Sequence, residues 1–104
     1  VNILSQKTLN CYCEKYADAR GSLLSWYDRV SKKKYSNHAK LKDDFPSADY
    51  VGDDRYVFNI KGNDFRLIVS INFRAGLGYV KWFGTHAEYN KIKAAEVKYD
   101  DPCH

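Results

Sequence analysis

The chain reads as an α+β protein, an antiparallel sheet with N-terminal helices packed on one face and a C-terminal helix. Three observations predict it. Apolar residues recur at helical spacing between residues 5 and 34; three later runs, RYVFNI, FRLIVSINF and GYVKWFG, are rich in β-branched and aromatic residues; and the turn signals KGND and RAGLG separate those runs. Strands grouped after helices, rather than alternating with them, segregate the helices to one face of the sheet. A length of 104 residues suits a single domain, 1–104, with one core.

Val1 to Leu4 reads as a short strand. A helix from about Ser5 to Ala17 places Leu9, Tyr12, Cys13 and Tyr16 on its inner stripe and turns Cys11 away. A second helix, about Ser22 to Lys34, aligns Leu23, Trp26, Tyr27 and Val30. NHAKLKDDFP supports a short third helix that Pro46 ends, because the residue before a proline is pushed out of the helical region. In the middle strand Phe65, Leu67, Val69, Ile71 and Phe73 alternate with Arg66, Ile68, Ser70 and Asn72, so one face is apolar and the other mixed. The apolar face should receive the helices, leaving Arg66, Ser70 and Asn72 on an open surface. After Gly84 a last helix is expected from about His86 to Val97, followed by the polar tail DDPCH.

A hydrophobic content of 44%, with only two prolines and six glycines, argues against disorder. No run approaches eighteen apolar residues and VNILSQKTLN has neither a charged leader nor an apolar signal core, so a cytoplasmic protein without a membrane partner is expected. Cys11, Cys13 and Cys103 show no C-x-x-C pair or second cluster; no metal is expected on them, and they read as small, reduced hydrophobes. The net charge of +4 favours an anionic partner. Arg29, Lys32, Lys33, Lys34, Lys40 and Lys42 form a stretch free of acids, followed by Asp43, Asp44, Asp49, Asp53 and Asp54, which read as loop carboxylates. Lysines at a helix C-terminus complement its dipole, and the same stretch suits a nucleic-acid backbone. Both readings stay open.

The chemistry concentrates in two segments. In GTHAEYNK, Thr85 and Glu88 match a capping box. His86 and Tyr89, three apart, lie side by side near a helix start, where free amides favour a phosphate and an imidazole can exchange a proton near neutral pH. In NIKGNDFR, Gly62 and Asn63 read as turn residues, Asn59 falls on the strand face opposite Phe58 and Ile60, and Arg66 in mid-strand requires a partner or solvent. There is no G-x-S-x-G, no convincing Cys–His pair and no H-E-x-x-H. Arginine, lysine, histidine and tyrosine remain, a set suited to metal-independent phosphodiester cleavage. A cation stabilises the phosphorane while histidine or tyrosine moves protons to and from the 2′-hydroxyl and the leaving oxygen.

YVFNIKGNDFRLIVSINF followed by GYVKWFGTHAEYNKI resembles the HigB-type toxins, a branch of the RelE-like toxins of bacterial toxin–antitoxin pairs. Asn59, Gly62, Asn63 and Arg66 match N-x-x-G-N-x-x-R, and Thr85, His86, Glu88 and Tyr89 match T-H-x-E-Y. The resemblance spans essentially the whole chain and is most specific from Tyr56 to Asn90. It implies a RelE-like fold and an mRNA interferase that needs no cofactor, cuts translated mRNA on the ribosome and is neutralised by a cognate, HigA-like antitoxin. Carried over, Arg66 would hold the scissile phosphate, His86 would act as general acid or base, and Tyr89 would orient substrate or assist proton transfer. Asn59 and Asn63 would belong to the RNA-binding surface. Lys81 is read as a second positive group, Phe83 as a base-stacking ring at the sheet edge, and Lys32, Lys33 and Lys34 as contacts to ribosomal RNA. Asn90 stands where the family often has Asp, which weakens any role of that carboxylate here. The competing reading is a non-catalytic RNA-binding or protein-interaction module on the same fold.

Overall fold

Each of the first three helices forms close to its expected position in the computed structural model, which describes residues 1–99 and 101–103. Asp100 and His104, in the polar tail, lie outside the described residues. Helix α1 (Gln6–Lys15) turns Leu9, Tyr12 and Cys13 inward. A 3-10 turn over Ala17–Ala19 leads directly into α2 (Arg20–Ser31), which buries Leu23, Trp26 and Val30. Helix α3 (His38–Asp44) starts at Asn37, whose side chain accepts from the Lys40 N–H, and stops at Phe45 before Pro46.

The sheet has five strands: β1 (Asn2–Ile3), β2 (Asp49–Gly52), β3 (Arg55–Ile60), β4 (Phe65–Asn72) and β5 (Leu77–Thr85), in the order β1-β5-β4-β3-β2. Strands β2 to β5 pair antiparallel, but β1 pairs parallel to β5, so the sheet is mixed rather than wholly antiparallel. The acidic stretch is also not a loop. Asp43 and Asp44 belong to α3 and Asp49 to β2, leaving Asp53 and Asp54 in the turn to β3.

Phe58, Ile60, Phe65, Leu67, Val69, Ile71, Val80 and Phe83 from the sheet form one core with Leu9, Tyr12, Leu23, Trp26, Val30 and Leu41 from the helices. Val57 and Ile68 are equally buried but lie outside that cluster, as their alternate strand positions require. The second face is therefore not open along its length. Arg55, on that face, donates from Nη1 to the carbonyls of Ala94 (3.1 Å) and Val97 (2.6 Å), which brings the segment after β5 across it.

That segment is where the expected helix fails. Helix α4 covers only His86–Tyr89, and turns replace the helix expected to reach Val97. Beyond Tyr89 the chain proceeds by isolated turns, and Arg55 holds it against the sheet by the Ala94 and Val97 carbonyls. The chain then reaches α1: the Tyr99 and Thr8 hydroxyls are 2.9 Å apart, and Cys103 forms a disulfide with Cys11. Cys13 is buried and free as expected, whereas Cys11 and Cys103 are not the reduced hydrophobes their spacing suggested. No sequence pattern joins residues 92 apart; only the path of the tail does. Reduction of the bond, or Cys103→Ser, is expected to lower unfolding stability by about 2–4 kcal/mol through the lost loop constraint. Thermal melts with and without a dithiol reductant measure it, and the serine variant should no longer respond to the reductant.

Candidate active site

The β3–β4 turn and the β5–α4 junction meet at one end of the sheet. Lys61 and Gly62 both adopt positive φ, 54° and 65°. Glycine takes this conformation freely, and the reversal it permits directs the following carbonyls at the junction. The His86 N–H donates to the Asp64 carbonyl at 2.9 Å. His86 Nδ1 lies 3.2 Å from the Asn63 carbonyl and 3.4 Å from Arg66 Nη2. Arg66 Nη1 donates to the carbonyls of Asn63 and Phe65, each at 3.3 Å. Arg66 Cζ sits 5.8 Å from the Tyr89 ring centroid. Arg66, His86 and Tyr89 are thus brought together, with Asn59 beside them as the cross-strand partner of Arg66. Asn63 contributes through its main-chain carbonyl, a role its side-chain identity does not announce.

Two consequences follow from this wiring. A neutral imidazole carries one N–H; if Nδ1 donates it to the Asn63 carbonyl, Nε2 is the acceptor, and Nε2 has no partner among the described residues. Arg66 makes no ion pair among the described residues, while Lys32 pairs with Asp28 and Lys33 with Asp44. Its guanidinium is held by neutral carbonyls and keeps its charge available to an anion.

The capping box is complete. Thr85 Oγ1 accepts from the Glu88 N–H at 3.1 Å, and Glu88 Oε1 accepts from the Thr85 N–H at 2.8 Å and from the Tyr16 hydroxyl at 2.9 Å. The Thr85 N–H, followed by the hydroxyls, holds the Glu88 carboxyl below its ordinary range despite some burial. Burial, reinforced by Glu88, pushes Tyr16 up to about 12. Glu88 is therefore occupied in fastening α4 to α1. A carboxyl depressed in the folded state adds stability that is complete above its unfolded value and lost as pH falls through the folded one. Glu88→Ala should accordingly be less stable than wild type at pH 7, and the gap between their melting temperatures should narrow below about pH 4.

Other expected residues lie elsewhere. Phe83 is only 2% exposed: it stacks on Phe65 at 5.3 Å and meets Tyr12 and Tyr16 edge-on, so it offers no face to a base. The cause is a bulge. Ile68 pairs with Trp82 and Val69 with Val80, leaving Lys81 over. One extra residue reverses the faces beyond it, so Phe83 joins Val80 in the core and Trp82 turns out. Trp82, which the sequence did not single out, joins Tyr89 at this end: its ring centroid is 6.1 Å from that of Tyr89. Lys81 stands over Tyr79 at 5.7 Å and lines a different hollow with Asp53, Asp54 and Ser70. Lys32, Lys33 and Lys34 border a hollow with Arg74 and Gly76, at the β4–β5 turn, the far end of β4 from Arg66.

Comparison with known proteins decides the family. A family model described as HigB toxin, the RelE-like toxic component of a toxin–antitoxin system, matches residues 19–92. The chain belongs to the HigB family of RelE-like toxins. It is 31% identical over 97 residues to the mRNA interferase toxin HigB of Escherichia coli K12, covering 90% of this chain and 92% of that protein. An mRNA interferase HigB of Escherichia coli O6:H1 is 29% identical over 94 residues, covering 88% of this chain and 91% of its own length. Membership in a family that is the toxic component of a toxin–antitoxin system implies an antitoxin partner. The span matched by the HigB model holds Asn59, Asn63, Arg66, Trp82, His86 and Tyr89 but excludes both cysteines of the disulfide. Among the described residues no helix is long and apolar enough to cross a membrane.

Proposed function

We propose that residues 1–104 act as one toxin domain, an mRNA interferase that cleaves translated mRNA on the ribosome in the cytoplasm without a metal and is silenced by a HigA-like antitoxin. The observation that carries this reading is the union of an arginine without a carboxylate partner and a histidine with one unengaged ring nitrogen, 3.4 Å apart at the end of the sheet. Arg66 holds the scissile phosphate and offsets the charge that grows on the phosphorane. His86 Nε2, when neutral, accepts the 2′-hydroxyl proton; when protonated, it donates to the leaving 5′-oxygen. The 2′-oxygen forms a bond to phosphorus, the bond to the 5′-oxygen breaks, and the products are a 2′,3′-cyclic phosphate and a 5′-hydroxyl. Tyr89 orients the substrate beside Arg66, and Asn59 and Asn63 extend the RNA-binding surface. Lys32, Lys33 and Lys34, at the other end of the sheet, meet ribosomal RNA away from the cut.

Metal independence is supported by the donor set: arginine, histidine and tyrosine hold the centre, and the nearest motif carboxylate, Glu88, is committed to the cap. Primer extension on an mRNA incubated with antitoxin-free protein, with and without translating ribosomes, tests the function. New ends within codons only during translation are expected. Intact message in both conditions would overturn the reading.

A further inference from the structure

We infer that Trp82 and the hollow beside it form a base-stacking subsite for a nucleotide flanking the scissile phosphate, an inference that rests on the interferase reading. The bulge at Lys81 turns the indole to the face that carries Arg66. It does not lie flat against its own strand position but leans toward the reaction centre. A Cβ at Gly84 would stand 2.7 Å from the Trp82 ring and 3.0 Å from Glu88 Oε1, so glycine is the residue that lets the indole fold down there. Gly84 is also the cross-strand partner of Arg66, so the indole that fills its side-chain space sits next to the strand position of the arginine.

From this position Trp82 joins two regions. On one side its ring meets Tyr89, which in turn meets Arg66, giving an unbroken line from indole to guanidinium. On the other it lines a hollow of about 390 Å³ with Lys15, Tyr16, Pro102 and the carboxylates of Glu88 and Asp101. That volume falls within the range of small-ligand pockets, about 300–1,000 Å³. Lys15, 5.4 Å from the Tyr16 ring, supplies a cation at the wall. The Cys11–Cys103 disulfide anchors the tail that brings Pro102 to the opposite wall. An aromatic ring bordering a cleft, a cation at its wall and, through Tyr89, an arginine that suits a phosphate are what an unpaired, splayed base requires.

The test pairs two changes in the ribosome-dependent cleavage assay: Trp82→Ala in the protein, and an abasic residue placed in the mRNA on either side of the cut in turn. Stacking predicts that Trp82→Ala raises KM roughly tenfold with kcat little altered, and that Trp82→Phe restores most of the loss. The abasic residue on one side should cost wild type a similar factor and cost the alanine variant almost nothing, since each change removes the same contact. A merely structural Trp82 would make the two losses multiply. Cleavage by wild type with multiplying losses, or with no loss on either change, would overturn the stacking subsite and leave the interferase reading intact. No cleavage by wild type on the unmodified message would overturn the interferase reading itself, and the subsite with it. If the alanine variant fails to fold, the phenylalanine variant decides. Its cost must be smaller than that of the abasic residue in wild type, and a larger cost refutes stacking.

Discussion

Alanine at Arg66 or at His86 is expected to reduce cleavage of translated mRNA by about 10²–10⁴-fold while moving the melting temperature by no more than about 4 °C. The separation of the two effects follows from the contacts. Arg66 has no ion pair among the described residues and spends its hydrogen bonds on exposed or half-buried turn carbonyls. His86 is half-buried; alanine gives up the 3.2 Å contact of Nδ1 with the Asn63 carbonyl but retains the main-chain N–H bond to Asp64. Folding therefore loses little, whereas the reaction loses its charge stabiliser or its proton carrier. The double variant should be scarcely worse than either single one, because residues acting as a unit are not additive. Arg66→Lys should fall between: the charge remains, but the planar fork that grips two phosphate oxygens does not. Single-turnover cleavage and calorimetry on the same preparations measure both quantities. Cleavage that persists in both variants would place the chemistry on other residues. Full ribosome binding without cleavage by wild type would favour the non-catalytic binding module.

Phe83→Ala is expected to cost about 3–5 kcal/mol of unfolding free energy, against less than half of that for Trp82→Ala. The two rings are adjacent in sequence, and the indole is the larger. Phe83, however, is stacked on Phe65 and enclosed by Tyr12 and Tyr16, so removing it opens a cavity where sheet and α1 meet. Trp82 is half-buried on the other face. For a domain of this size such a loss takes a large share of the roughly 5–15 kcal/mol total. Urea unfolding followed by circular dichroism reads both midpoints. A severe loss for Trp82→Ala together with a mild one for Phe83→Ala would mean that β5 runs without its bulge, and the aromatic residue at the reaction centre would then be Phe83.

What the linear order of residues determined about this protein is considerable: three helices, the β3–β4–β5 meander, the capping box and the pairing of Arg66 with His86 and Tyr89. The helices, the meander and the capping box rest on periodicity, turns and a cap, interactions spanning a few residues that a one-dimensional reading contains, whereas the grouping of Arg66 with His86 and Tyr89 was implied by the resemblance to HigB-type toxins. The Lys81 bulge, the parallel pairing of β1 with β5, the added strand β2, the shortness of α4 and the Cys11–Cys103 bond were decided only by the tertiary structure. The side-chain period of a strand is two, so a single unpaired residue exchanges the faces of Trp82 and Phe83, and nothing in VKWFG marks where it falls. The tail likewise leaves its expected helix after Tyr89, and the arginine that holds it, Arg55, lies 39 and 42 residues earlier in the chain than the carbonyls it bonds. Local sequence specifies local hydrogen bonds. Which face a residue finally occupies is settled by the packing of the whole sheet.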